Sequence, residues 1–324
     1  MSTQRTGPVS LLGLDPATYR PHAIHAGGAT YGETNCYADI LLELVHARGD
    51  EPLAAMGSAL RLDFEGDQWT FFKPSTEDLE LLFGIDIHEM QPYRPLPEQI
   101  AEQLEAGRTI IVELDSYFLP DTASTAYRRD HVKTSVAAEA IDLDAERLRY
   151  FHNAGYYELD GEDYREALRV ARDLSPDVLP PYTELVRFDA GPRLTGEELR
   201  AAAADRVRRH LARRPADNPF PRFGAALDAR LPALLDGDAQ AYHDYAFATV
   251  RMVGAGFEVC ALLSDWLLGD DGAPAADALR RIVEDAKVLS FKLARRRAFD
   301  PAPAIEQLGA AWDEAMGRLD DALS

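Results

Sequence analysis

Hydrophobic and polar positions alternate with two different periods along this chain. Apolar residues recur every three or four positions from Cys36 to Gly49 and within 75–83 and 97–108, which predicts amphipathic helices. In residues 110–117 two sets of side chains alternate, one of them with Ile111, Glu113 and Asp115, which predicts a strand. The stretch 131–159 reads as two strands joined by an acidic turn, which predicts a hairpin. The first half of the chain therefore mixes helices and strands.

From about Pro176 the pattern changes to Ala, Leu, Arg and Asp at helical spacing. The predicted helices cover roughly 196–214, 223–235, 239–268, 274–297 and 302–322. The proline-rich stretch 173–182 marks the boundary between the mixed and the helical parts of the sequence. We therefore predict an α/β (α+β) fold with two domains, a mixed domain over residues 1–175 and an all-helical domain over residues 176–324.

Composition excludes several classes of protein. No run approaches the roughly 20 apolar residues that span a bilayer, and the N-terminus lacks the pattern of a signal peptide, so we expect a cytoplasmic protein without membrane partners. The formal charge of −21 disfavours nucleic acid as a partner, because phosphate backbones are bound by clustered Lys and Arg. Positive charge is concentrated in the stretches 206–214 and 292–299, which are usually solvated helix faces.

The two cysteines, Cys36 and Cys260, are far apart in sequence and have no C-x-x-C partner, which indicates two reduced thiols. Cys260 lies in an apolar helical stretch and is interpreted as a core residue. His22 and His25 form an HxxH pair without a third ligand, so we predict no metal site. Cys36 differs because it lies at a predicted helix start, where free backbone N–H groups stabilise a thiolate.

Three residues occur in the order that papain-like cysteine enzymes need, namely Cys36 at a helix start, His131 at a strand start and Asn153 on the neighbouring strand. The histidine would take and return the thiol proton, and Asn153 would hold its ring in one tautomer. The backbone N–H of Cys36 is a candidate oxyanion donor. The side chains that are candidates for further oxyanion or substrate contacts are Asn35, Gln68, Asp115 and His152. His152 is equally well interpreted as structural, and Cys36 as an inert buried thiol.

Four segments carry a family resemblance: residues 33–52 (ETNCYADILLELVHARGDEP), 62–85, 112–142 and 150–164 (YFHNAGYYELDGEDY). They resemble a bacterial family of domains of unknown function, numbered eighteen thirty-nine. The cysteine at the helix start, the V-E-x-D-x-Y strand and the later H-V strand are more distantly similar to the papain-like N-terminal domain of the butirosin biosynthesis acyltransferase.

This resemblance implies that Cys36 is acylated, that His131 is the base and that Asn153 orients the base. The implied reaction moves an acyl or aminoacyl group from the phosphopantetheine thioester of a carrier protein to a small amine, with no bound cofactor. Carrier proteins are usually acidic, so docking would need a basic surface. The candidates are Arg206, Arg208, Arg209, Arg213, Arg214 and Arg295–Arg297.

Two other functions remain open at this point. A cysteine hydrolase (a peptidase, amidase or thioesterase) would use the same three residues and differ only in letting water reach the acyl-enzyme. A non-catalytic module that binds a loaded carrier protein would use Cys36 only as a packing residue.

Overall fold

The computed structural model describes residues 7–27, 29–170 and 179–324. They form two compact units. The described residues of unit 1 are 7–27, 35–51, 79–170 and 179–193, and those of unit 2 are 29–34, 52–78 and 194–324. The units interleave along the chain, whereas the two domains expected from sequence are contiguous. The expected boundary between residues 175 and 176 lies outside the described residues.

The strands and helices of the described residues are numbered in chain order. The strands are β1 (Val9–Ser10), β2 (Phe64–Glu65), β3 (Gln68–Trp69), β4 (Asp86–Met90), β5 (Thr109–Asp115), β6 (Lys133–Asp142), β7 (Arg147–His152), β8 (Gly155–Asp160) and β9 (Thr183–Arg187). The helices are α1 (Cys36–Ala47), α2 (Thr76–Phe83), α3 (Leu96–Glu105), α4 (Gly161–Ala167), α5 (Gly196–Leu211), α6 (Phe220–Asp236), α7 (Ala239–Ala246), α8 (Met252–Leu268), α9 (Ala273–Ala294) and α10 (Ala302–Leu323).

Unit 1 is built on an antiparallel sheet with the strand order β4-β9-β5-β6-β7-β8, and β1 pairs with β6. Because side chains alternate along a strand, β5 has two sets of residues. Ile111, Glu113 and Asp115 point to one face, which we name face A, and Ile110, Val112 and Leu114 point to the other, face B. Face B packs on α3 and α4 in an apolar core.

Helix α1 covers face A, where it contacts β6 and β7. Its eight residues from Ala38 to Val45 are buried. At its start, the Tyr37 hydroxyl donates to Glu184 Oε2 at 2.6 Å, and Glu184 is paired with Ile111 of β5. The first turn of α1 therefore lies over the β9–β5 part of face A.

Unit 2 is mainly helical and contains α5 to α10 with the β2–β3 hairpin. A 3₁₀ segment, Pro52–Arg61, packs on α5 and α8. Buried aromatic side chains join the hairpin to the helices, and Trp69 has its ring centroid 5.1 Å from that of Phe220. Between α7 and α8 one turn, Phe247–Arg251, is a π-helix.

The predicted mixed α+β fold is confirmed, with a sheet-rich N-terminal part followed by a helical C-terminal region. The single strand expected over 147–159 is wrong, because the chain turns at Asn153 and Ala154 and forms the β7–β8 hairpin. Asn153 has φ of +46°, a left-handed conformation that asparagine tolerates better than most residues. This residue therefore lies in a turn and not within a strand.

The stretch Ala239–Ala294 contains a window with a mean hydropathy of 1.5, long and apolar enough to cross a membrane by composition alone. However, 67% of that window is buried inside the protein. Burial of this kind is typical of the core helix of a soluble protein, because its apolar residues already face protein.

Candidate functional site

Cys36 is the first residue of α1, as the sequence predicts. The residue before it, Asn35, has an extended backbone, and its Oδ1 accepts a hydrogen bond from the Ala38 N–H at 3.0 Å. Asn35 is therefore the N-cap, which is one reason why the helix begins here. Cys36 is partly exposed, whereas Cys260 is fully buried. Burial raises the pKa of Cys260, which fits an inert core thiol.

His131 lies two residues before β6 and is held by Asp115, the last residue of β5. Its Nδ1 is 2.6 Å from Asp115 Oδ2, and its ring stacks on Tyr117 with centroids 4.4 Å apart. The other oxygen of Asp115 accepts from the Tyr117 N–H at 3.0 Å. Within the described residues, Nε2 of His131 has no hydrogen-bond partner. One ring nitrogen is thus fixed by a carboxylate, and the other is available to a reacting group.

The predicted hydrogen bond between Asn153 and His131 is absent among the described residues. Asn153 lies in the β7–β8 turn, and no other described side chain bonds to it. Antiparallel pairing explains why Asp115 takes this place. It is paired with Lys133 at the start of β6, and His131 comes two residues before Lys133. The strand that the sequence predicts at 110–117 contains this aspartate near its end, so the signal was its position close to the polar loop that precedes His131.

Cys36 and the His131–Asp115 pair belong to the same side of the sheet in unit 1. Asp115 points to face A, and α1 packs on face A with its first turn beside Glu184. A helix start that carries a thiol and a carboxylate-bound imidazole therefore share one face. Nucleophilic catalysis by cysteine uses these two kinds of group, a thiol and an imidazole, within hydrogen-bond reach of each other.

Face A is polar around these residues. The Lys133 ammonium lies 2.6 Å from Glu113 Oε1, and the hydroxyls of Tyr37 and Tyr182 donate to the two oxygens of Glu184 at 2.6 and 2.8 Å. The hydrogen bond to Glu184 raises the pKa of Tyr182 to about 12, and burial raises that of Tyr37 further. Both phenols therefore stay protonated and act as donors at neutral pH.

His152 belongs to a buried network on face B. Its Nδ1 is 2.5 Å from Asp121 Oδ2, its Nε2 is 2.8 Å from Thr134 Oγ1, and Tyr150 donates to the other oxygen of Asp121. Its side chain is 1% exposed. These contacts favour the structural alternative for His152 over a role in substrate binding, and they fix Asp121 in the loop between Asp115 and His131.

His25 is occupied by two buried carboxylates of α1. Its Nδ1 is 2.5 Å from Glu43 Oε1 and its Nε2 is 3.4 Å from Asp39 Oδ1. Burial alone would lower the pKa of His25, but the hydrogen bonds and charges of Asp39 and Glu43 outweigh it and raise that pKa to about 9. His25 is therefore an imidazolium at neutral pH. No group of three or more metal-ligating side chains occurs in the described ranges.

The remaining candidates lie in unit 2. Gln68 is exposed on β3 and lines a cavity of about 680 Å³ that also contains Tyr245 and Arg230. Gln68 thus belongs to unit 2, whereas Cys36 belongs to unit 1. Asn35, the other oxyanion candidate, uses its carbonyl oxygen in the helix cap.

Arg206 does not offer a surface charge, which corrects its assignment to carrier docking. Its guanidinium is 8% exposed and bonds to Asp78 and Glu77. Arg208 and Arg214 form ion pairs with Asp205 and Asp320. Arg209 is 66% exposed and lies 4.0 Å from Glu77, and Arg213 and Arg295–Arg297 are exposed as well.

Comparison with known proteins gives two matches. The family model of the DUF1839 N-terminal domain matches residues 20–188, and that of the DUF1839 C-terminal domain matches residues 196–321. No curated protein matches the chain. The more distant resemblance to the butirosin acyltransferase gains no support from these matches and stays a prediction.

Proposed function

Since the chain belongs to the DUF1839 family, we propose that it is a papain-like cysteine acyltransferase. In this proposal Cys36 takes an acyl or aminoacyl group from the thioester of a carrier protein and passes it to an amine. The observation that supports it is the sharing of face A by Cys36, at the start of α1, and the Asp115–His131 pair. The proposed setting is the cytoplasm.

The proposed first step forms the acyl-enzyme. His131 Nε2 accepts the proton of the Cys36 thiol while Asp115 holds the Nδ1–H. The thiolate attacks the thioester carbonyl, and the backbone N–H of Cys36 donates to the oxyanion. The carbon–sulfur bond of the donor then breaks, and its phosphopantetheine thiol leaves with the proton from His131. One thioester replaces another, so this step is nearly balanced in bond energy.

The second step transfers the acyl group to the acceptor. A neutral amine attacks the acyl-Cys36 carbonyl and gives its proton to His131, and the collapse of the tetrahedral intermediate releases Cys36 as a thiol. An amide is more stable than a thioester, so transfer is downhill. Asp115 supports both steps because its negative charge stabilises the imidazolium that forms transiently.

A cysteine hydrolase is the second candidate, and one observation favours it. The His131 side chain is 68% exposed, so water can approach the base that would activate it. Transfer requires that the bound amine compete successfully with that water. The two functions use the same residues and differ in the acceptor alone.

Intact-protein mass spectrometry tests the proposal. Wild type, Cys36→Ala and His131→Ala are mixed with acyl- or aminoacyl-loaded carrier proteins, and candidate amines are then added. We expect an adduct on wild type that is missing from Cys36→Ala, slow to form on His131→Ala, and discharged faster by amine than by water. Discharge at the same rate with and without amine would favour the hydrolase. Carrier binding without any adduct across a broad panel would favour the non-catalytic module.

A further inference from the structure

The residues just before Cys36 are held by the long apolar helix of unit 2. We name residues 29–34 the pre-cysteine segment; they belong to unit 2 together with α8. The N–H groups of Thr30 and Tyr31 each donate to a different oxygen of Glu258, both at 2.6 Å. One carboxylate thus binds two consecutive backbone amides, which is a strong, charge-assisted arrangement with a fixed geometry.

Two further contacts lie along the same helical region. Tyr31 packs closely against Gly254, where a Cβ atom would come within 2.3 Å of the tyrosine ring. Arg251 donates to the Glu33 carbonyl oxygen at 3.3 Å and lies 3.7 Å from the Glu33 carboxylate. Positions 251, 254 and 258 are spaced three and four residues apart, so they share one side of the helix.

Glu258 is unusual for its surroundings. It is the one charged residue in the stretch 252–264, MVGAGFEVCALLS, most of which is buried. Its bond to Thr30 is exposed to solvent and its bond to Tyr31 is partly so, which means that water can replace the carboxylate as an acceptor. Losing it would therefore cost little global stability. The order that Glu258 imposes on the pre-cysteine segment is the larger effect.

The segment it orders leads directly into the helix that carries the thiol. Thr34 is the last residue of the segment and Asn35 follows it; both are buried, at 3% and 6% exposure, and Asn35 caps α1. The segment is thus directly continuous with the first turn of α1, which carries the Cys36 side chain and its backbone N–H, the proposed oxyanion donor.

We propose that Glu258 is a positioning residue for Cys36, and that one function of the helical C-terminal region is to fix the chain that leads into the nucleophile. Tyr31 on Gly254 and Glu33 at Arg251 complete this anchor. The inference rests on the proposed function for its catalytic meaning, since only a reactive cysteine needs its helix entry to be fixed.

Glu258→Gln tests the inference with little change of shape. Glutamine presents one acceptor oxygen and one NH₂ group to two N–H donors, so one of the two hydrogen bonds must be lost. Asp265→Asn is the matched control, because it neutralises another carboxylate of the same helix that pairs with Arg280 instead. Glu258→Asp is the conservative variant. It keeps the negative charge, so its hydrogen exchange, alkylation and acylation should lie between those of wild type and of Glu258→Gln.

Three measurements are made on the full chain. Hydrogen exchange is followed in peptides that cover 29–36, the rate of Cys36 alkylation by iodoacetamide is followed by peptide mapping at several pH values, and acylation is resolved into kcat and KM. We expect Glu258→Gln to speed exchange in this segment, to change the pH dependence of alkylation and to lower kcat about tenfold with KM unchanged, since small misplacements of reacting groups carry penalties of this order. Asp265→Asn should match wild type.

Alkylation and hydrogen exchange need no substrate, so they separate the two ideas. Wild type that is never acylated by any loaded carrier would defeat the proposed function, while the alkylation profile would still report on positioning. If Glu258→Gln speeds exchange in 29–36 but alkylation keeps the wild-type rate and pH dependence, Glu258 orders the segment without positioning Cys36, and the inference is overturned.

Discussion

Asp115→Asn is the sharpest test of the site, because the structure predicts what the amide would do. In wild type one oxygen of Asp115 accepts from the Tyr117 N–H and the other faces His131 Nδ1. In the variant, the oxygen should keep the backbone bond, which places the NH₂ group against Nδ1. Nδ1 must then be the acceptor, so the ring proton moves to Nε2. A His131 that is protonated at Nε2 cannot take the proton of Cys36.

The size of the effect follows from the base that is lost. General-base catalysis by a positioned side chain contributes about 100- to 10,000-fold, so acylation should slow by roughly 100-fold or more when Nε2 of His131 carries the proton. Stability should hardly change. The side chains of His131 and Asp115 are 68% and 34% exposed, and pairs this exposed contribute at most about 1 kcal/mol.

The assay is single-turnover acylation of the enzyme by loaded carrier protein, read by intact mass, together with thermal unfolding. Glu158→Gln is the control, since Glu158 is a similarly exposed carboxylate of unit 1 that pairs with Arg149 at 2.8 Å. Asn153→Ala is compared alongside and should acylate normally. Full-rate acylation by Asp115→Asn, or a large loss in Asn153→Ala, would show that Asp115 does not orient the base.

Three further predictions concern stability and docking. Asp78→Asn should destabilise the protein by about 3 kcal/mol, because the buried His210 loses its carboxylate and the buried Arg206 keeps only its bond to the exposed Glu77. A change of less than about 1 kcal/mol in urea unfolding would contradict this. His25 has a folded pKa of about 9, above its unfolded value of about 6.5, so its contribution of about 3 kcal/mol is present below pH 6.5 and is lost as the pH rises towards 9. In His25→Gln this alkaline loss, measured by unfolding at several pH values, should disappear, and an unchanged pH profile would refute the assignment. The double variant Arg209→Glu/Arg213→Glu should lower carrier-dependent turnover and reduce the dependence of that turnover on salt. Arg281→Glu is the control, because Arg281 pairs with a glutamate on α10, and it should change neither quantity. Equal effects of the two variants would exclude docking at this surface.

The helices could be predicted well because their signals are local. The apolar spacing and the glycine after α1 locate its ends within a few residues, and α9 and α10 were expected at 274–297 and 302–322, close to their true bounds. Helical periodicity depends only on residues that are close in sequence, so a helix can be predicted without knowing its tertiary contacts.

Strand pairing was less accessible to sequence reasoning. β9 returns from far along the chain to lie between β4 and β5, and no local pattern states which strands it will join. The turn at Asn153 was missed because the apolar and aromatic residues on both sides read as one continuous strand. An Asn followed two residues later by Gly was the available signal, since both favour turns.

The candidate site likewise contains residues that a local pattern identifies and one that depends on strand pairing. Cys36 could be found because a helix start is a local feature, and His131 because it follows a polar loop before a strand. The partner of His131 depends on the β5–β6 register, in which Asp115 is opposite Lys133. Sequence order favoured Asn153, whereas register brings Asp115 to the ring, because antiparallel neighbours are set by hydrogen bonding between strands and not by distance along the chain.

The way α1 is fixed also bears on how the proposed nucleophile works. Apolar packing alone would allow a helix to slide or rotate slightly, whereas a polar contact specifies position. Near its start, Tyr37 bonds to Glu184, and one to two turns later Asp39 and Glu43 enclose His25. Because the pKa of His25 is about 9, this ion cluster persists across the neutral range in which an imidazole base can exchange protons. The anchor of α1 should therefore keep its ion pairs at neutral pH, so the turn that carries Cys36 stays fixed to the His25 cluster over that range.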